Sequence, residues 1–176
     1  MQCRCFCRNL YGVSGVLGVK KLISVIAICC MASIAYAEQE IVGAFGVRLG
    51  DTVDDSMEFV EENALGELIY KFTPEKPNDF FSEYWLFATH KTKNIMRIKA
   101  SHLYPNEGSC ADKRSVIKTA IKRKYGTDLP VIQDRRIGAW CEYSNSNQYR
   151  LWIIYEDNIL EEQSKVEKAE TISDSL

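Results

Sequence analysis

Apolar residues recur along this chain with two different periods. Trp85, Phe87 and Thr89 alternate with Tyr84, Leu86, Ala88 and His90, and Met96, Ile98 and Ala100 alternate with Ile95, Arg97 and Lys99. A period of two on both arms of a short polar link at residues 91–94 predicts an antiparallel hairpin. Trp85, Phe87, Met96 and Ile98 are expected on its more buried face. Further strands are predicted at residues 41–49, loosened by Gly43 and Gly46, and at residues 68–72, 137–143 and 149–155. The last is apolar on both sides, which suits an interior strand. Residues 144–147 before it have the composition of a turn.

The second period is helical. Val53, Met57, Val60 and Ala64 stand at i, i+4, i+7 and i+11. Thr52 and Asp55 have the spacing of a capping box ahead of them, and Gly66 is a stop signal. Val116, Ile117, Ala120, Ile121 and Tyr125 form another such stripe, capped by Ser109 with Asp112 and ended by Gly126. From Glu161 the chain is polar and poor in aromatics, which predicts a frayed helix or a disordered tail. The order β-α-β-β-β-α-β-β implies a two-layer α+β domain. Its antiparallel sheet has five or six strands, with both helices on one face.

Val47-Arg48-Leu49-Gly50-Asp51-Thr52, with the helix predicted after it, resembles the strand–glycine–helix opening of small bacterial envelope domains of the SmpA/BamE-like group. The likeness covers a small part of the chain, and no residue role is carried over from it.

The first residues change the picture of where the protein works. Lys20 and Lys21 precede an apolar run that ends in Ala35-Tyr36-Ala37. Positive charge, apolar stretch and small residues in that order make a secretory leader, with cleavage between Ala37 and Glu38. The run is shorter than the roughly 20 residues a membrane span needs, so no span is expected in the mature chain. The leader is complete from about Val19, so translation starting there is an alternative to a long basic preface. Cys29 and Cys30 offer a lipoprotein alternative, but Ile28 and Cys29 stand where a small residue belongs. The expected organisation is a leader at 1–37, one domain at 38–160 and a polar tail at 161–176.

Composition adds limits. The 176 residues are 46% hydrophobic and 26% charged, with 10 Gly and 4 Pro. Collagen-like, largely disordered and polytopic membrane proteins are excluded. Of seven Cys, only Cys110 and Cys141 lie beyond the leader. A lone pair in an exported chain predicts one disulfide, here from the first turn of the second helix to the strand after it. The mature chain has 18 Lys and Arg against 24 Asp and Glu. The signs segregate: residues 90–136 are basic and the flanking stretches acidic. Acidic and basic elements pairing within the fold explain this. The functional alternative is a basic helix face of Lys113, Arg114, Lys118, Lys122 and Lys124 that meets an anionic surface such as lipid headgroups. Export and a negative mature chain argue against nucleic acid as a partner.

Catalytic chemistry has few footholds. His90 and His102 fall at opposite ends of the predicted hairpin, on the order of 20 Å apart, so a shared metal site fails on distance. No metal or cofactor is expected. G-x-S-x-G does not occur, and Pro105 and Gly108 lie in the loop between His102 and Cys110. The expectation is an exported, periplasmic or secreted, non-enzymatic binding domain for an envelope or extracellular partner. A small hydrolase whose site assembles only in the fold is one alternative, and the anionic-surface binder is the other.

Overall fold

The computed structural model describes residues 40–144 and 147–175. Strands β1 (Gly43–Ala44) and β2 (Val47–Arg48) form a small hairpin by themselves. Then come β3 (Glu58–Glu62), β4 (Leu68–Lys71), β5 (Glu83–Ala88) and β6 (Ile95–Tyr104), followed by helix α1 (Glu107–Tyr125). β7 (Val131–Ile132), β8 (Arg135–Ser144), β9 (Gln148–Asp157) and helix α2 (Asn158–Asp174) complete the chain. Seven strands make one antiparallel sheet in the order β3-β4-β5-β6-β9-β8-β7. This is the expected α+β class. β9 lies between β6 and β8, the interior position its two apolar sides suit.

Residues 41–49 do not form one continuous strand. Phe45 at φ 56° and Gly46 at φ 86° reverse the chain within two residues, the conformation tight hairpins require. Gly43 is needed for a different reason: a Cβ there would lie 2.1 Å from the Val47 carbonyl oxygen.

The sheet has a covered side and an outward side. Tyr70, Leu86, Ile98, Ala100, Ile137, Ala139, Leu151 and Ile153 are buried on the first, in cross-strand register with one another. α1 lies on this side and buries Cys110, Ile117 and Ile121. Asn106 caps α1 by accepting the Ser109 N–H at 2.8 Å, so the cap is three residues earlier than the Ser109 box predicts. Of the expected stripe, Val116 is 52% exposed, because the helix turns its Cys110, Ile117 and Ile121 edge inward instead. Gly126, at φ 79°, ends the helix as expected and donates to the Lys122 carbonyl.

The hairpin arms lie where the period of two puts them, and Met96 and Ile98 are buried as expected, but the face of the first arm is corrected. Ile98 sits opposite Leu86, and both are fully buried, while Trp85 and Phe87 share the outward side with Arg97 and Lys99. Ala88 pairs with Ile95 and Phe87 with Arg97, so Met96 is an extra, bulged residue. Counting alternation across a bulge assigns the wrong side.

The helix expected after Thr52 does not form. Thr52 bridges Asn94, and Val53 N donates to the Lys93 carbonyl at 3.0 Å, so this segment extends the hairpin end instead. Residues 58–62 become edge strand β3, with Val60 bulged and the Phe59 ring 5.5 Å from Tyr70. Tertiary pairing overrides the helical spacing, and the envelope-domain resemblance loses its helix with it. The second helix is instead α2, in the stretch expected to be a frayed helix or a disordered tail. Asp157 caps it, and Glu161 reaches Arg97 on the outward side. The two helices therefore do not share one face.

Candidate functional site

All three tryptophans of the chain stand on the outward side of the central strands. Trp85 comes from β5, Trp152 from β9 and Trp140 from β8. The ring centres of Trp85 and Trp152 are 5.5 Å apart, and Trp140 stacks 6.4 Å from Trp152. Each ring is partly exposed, as is Phe87 beside them. The same alternation that buries Leu86 and Leu151 turns Trp85 and Trp152 outward.

Cations lie among the rings. Lys99 Nζ sits 4.6 Å from the centre of Phe87 and 5.9 Å from that of Trp152. Arg150 lies 5.4 Å over Trp152 and Arg97 5.2 Å over Phe87. The three are not equivalent. Arg97 is held by Glu67, Glu156 and Glu161. Arg150 is held by Glu83 and the Ser101 hydroxyl. Among the described residues, no carboxylate forms an ion pair with Lys99, and its ammonium rests on ring faces. Burial first, and the Arg97 charge second, push its pKa down from the usual lysine range. Glu156, Glu67 and Glu142 offset that cost only in part from a distance, and an anion bound directly on the ammonium offsets more of it.

A cleft of about 970 Å³ opens beside this face, between the β1–β2 hairpin and the ends of β4 and β5. Phe45, Phe72 and Trp85 line it, with four carboxylates, Asp54, Glu58, Glu75 and Glu83, against Lys71 alone. Neither histidine lines it. His90 lies 3.4 Å from Glu62, and His102 Nδ1 meets the Ser82 hydroxyl at 3.0 Å. Ser82 does line the cleft.

The predicted bridge is formed: Cys110 and Cys141 are joined with their Cα atoms 6.2 Å apart. It pins the first turn of α1 to β8. Of the basic residues of α1, Lys113, Lys122 and Lys124 are exposed and Arg114 and Lys118 half-buried. Arg114, Lys118 and Lys122 edge a shallow groove of about 300 Å³, where Lys118 is already paired with Asp128 at 3.5 Å. Lys113 lies over the Phe80 ring and Lys124 over Tyr125. The structure thus brings Arg114, Lys118 and Lys122 to one shallow groove and sets Lys113 and Lys124 over the rings of Phe80 and Tyr125. Ala37 and Glu38 lie outside the described residues. No described helix is long and apolar enough to cross a membrane.

The sequence pattern hides the tryptophan face, because its alternation puts Trp85 on the more buried side of the hairpin. The available signal was Lys99: an alternating strand that carries Arg97 and Lys99 on one side has its outward face marked by them. No family model, no curated protein and no solved structure matches the chain.

Proposed function

We propose that the chain is an exported, non-enzymatic binding domain and that its ligand lies on the tryptophan face. The observation that carries this is Lys99, whose ammonium forms no ion pair among the described residues and is set among partly exposed aromatic rings. Large apolar rings left at a surface are usually there to be covered. Export is supported by the leader pattern and by the Cys110–Cys141 bond, which persists in oxidising compartments. The test is capture from the envelope fraction by immobilised protein. A component retained by the native chain and lost with Trp152→Ala supports the reading, and identical retention by both removes it.

The hydrolase reading is favoured by one contact, the 3.0 Å bond from Ser82 to His102 at the cleft wall. A nucleophile needs such a base, and an oriented base needs a further partner. Hydrolysis of activated esters that disappears with Ser82→Ala would establish it, and hydrolysis equal in that variant would end it.

A further inference from the structure

We infer that the tryptophan face binds a carboxylated saccharide, with pyranose rings stacked on Trp85 and Trp152 and a sugar carboxylate on the Lys99 ammonium. This rests on the binding reading above and names its ligand class.

Three features of the face select that chemistry. The first is the rings. The negative faces of indoles attract the weakly positive C–H bonds that a pyranose presents from one side. Trp85, Trp152 and Trp140 are contiguous, at 5.5 and 6.4 Å, so they offer a run of stacking surface and not a single ring.

The second is the charge. Lys99 is the cation of this face with no ion-pair partner among the described residues, whereas Arg97 and Arg150 are both held by carboxylates. One cation without an ion-pair partner matches one sugar carboxylate among the stacked units.

The third is the acceptors. Glu83 and Glu142 border the rings, and Glu142 accepts the Trp152 indole N–H. Carboxylates beside the rings accept hydrogen bonds from sugar hydroxyls. With Arg97 and Arg150 held by carboxylates, the face has no continuous positive groove of the kind that tracks phosphates in a stacking platform for single-stranded nucleic acid.

Tetragalacturonate, cellotetraose and a short oligo-thymidylate are the probes, titrated against the intrinsic tryptophan emission of the purified protein. Tetragalacturonate should give a saturable change, with cellotetraose at least about tenfold weaker, as loss of a charge-assisted contact implies. Lys99→Met removes the charge from an unbranched side chain and should weaken tetragalacturonate to the level of cellotetraose. Lys99→Arg should retain most of the affinity, with the circular dichroism of each variant checked against the native protein. The inference is overturned by no saturable change with tetragalacturonate, by equal affinity in Lys99→Met, or by tighter binding of oligo-thymidylate. If tetragalacturonate fails while Trp152→Ala still loses the envelope component, the saccharide assignment falls and the binding face stands. If both fail, the face is not a binding site.

Discussion

Leu151 and Trp152 are neighbours on β9 and have opposite tasks. Leu151 is fully buried on the covered side, opposite Cys141. Leu151→Ala should cost about 2–5 kcal/mol, read by urea unfolding, because the cavity it leaves closes only in part. Trp152→Ala removes a partly exposed ring and should cost clearly less, while changing what the outward face holds. Cys110 is equally buried, and its bond to Cys141 spans a sequence separation of 31 residues. Removing that cross-link should cost about 3–4 kcal/mol in the chain-entropy picture, measured as the difference between oxidised and reduced protein in denaturant. Gly43→Ala drives a methyl group against the Val47 carbonyl and should destabilise the β1–β2 hairpin selectively.

Helix α2 is attached by charge more than by apolar packing. Its most buried residues are Ser164 and Glu167, while Ile159, Val166 and Ile172 are exposed. Glu167 accepts the Lys91 N–H at 2.7 Å and the Thr92 hydroxyl at 2.9 Å, and Glu161 accepts from Arg97 at 3.1 Å. Burial pushes the Glu167 carboxyl up, but the bonds from Lys91, Gln163 and Thr92 outweigh it and hold its pKa below the ordinary 4.5. Glu156 is governed the same way, with burial outweighed by Arg136 and Arg97. Both folded values are lowered, so the stability they contribute is present above about pH 4.5 and is lost as pH falls through the folded values. Thermal unfolding followed against pH should show the midpoint dropping below pH 4.5 and no such drop from pH 5 to 7. Sequence pattern had little purchase on this element. Residues 161–174 carry no apolar stripe, and a helix that docks through carboxylates leaves none to find. The strands were legible because their alternation is strong. Their sides were less so, because Met96 interrupts the count and both sides of β5 carry large rings. Thr52 and Asp55 carried a true local helix signal, which pairing with Asn94 overrode.

Across the whole molecule, the segregation of charge along the sequence is largely taken up by pairs between its acidic and basic stretches. Arg97 meets Glu67 and Glu161, Arg135 meets Glu40 and Asp157, and Lys91 meets Glu170. The exposed pairs are worth little singly, but Arg97 is 11% exposed and faces three carboxylates. Arg97→Met should cost about 3–5 kcal/mol in urea unfolding, since it strands buried negative charge. Processing belongs to this scale too. Intact mass of the exported protein should correspond to a chain that begins at Glu38, and a lipid-bearing species beginning at Cys29 or Cys30 would replace that expectation.

The register that sets Tyr104 opposite Tyr149 also orders events in time. β5 with β6, and β8 with β9, are local hairpins of the kind that close in roughly 1–10 μs. Joining β6 to β9 must bring together strands separated by α1, β7 and β8, and such non-local closure is the slow part of folding. Cys110 and Cys141 both lie inside that intervening stretch, so their bond shortens the search before the central strands meet. Oxidised chain should therefore refold faster than reduced chain in stopped-flow measurements. In a cell, that makes early oxidation a determinant of how long the half-built sheet stays open to other chains.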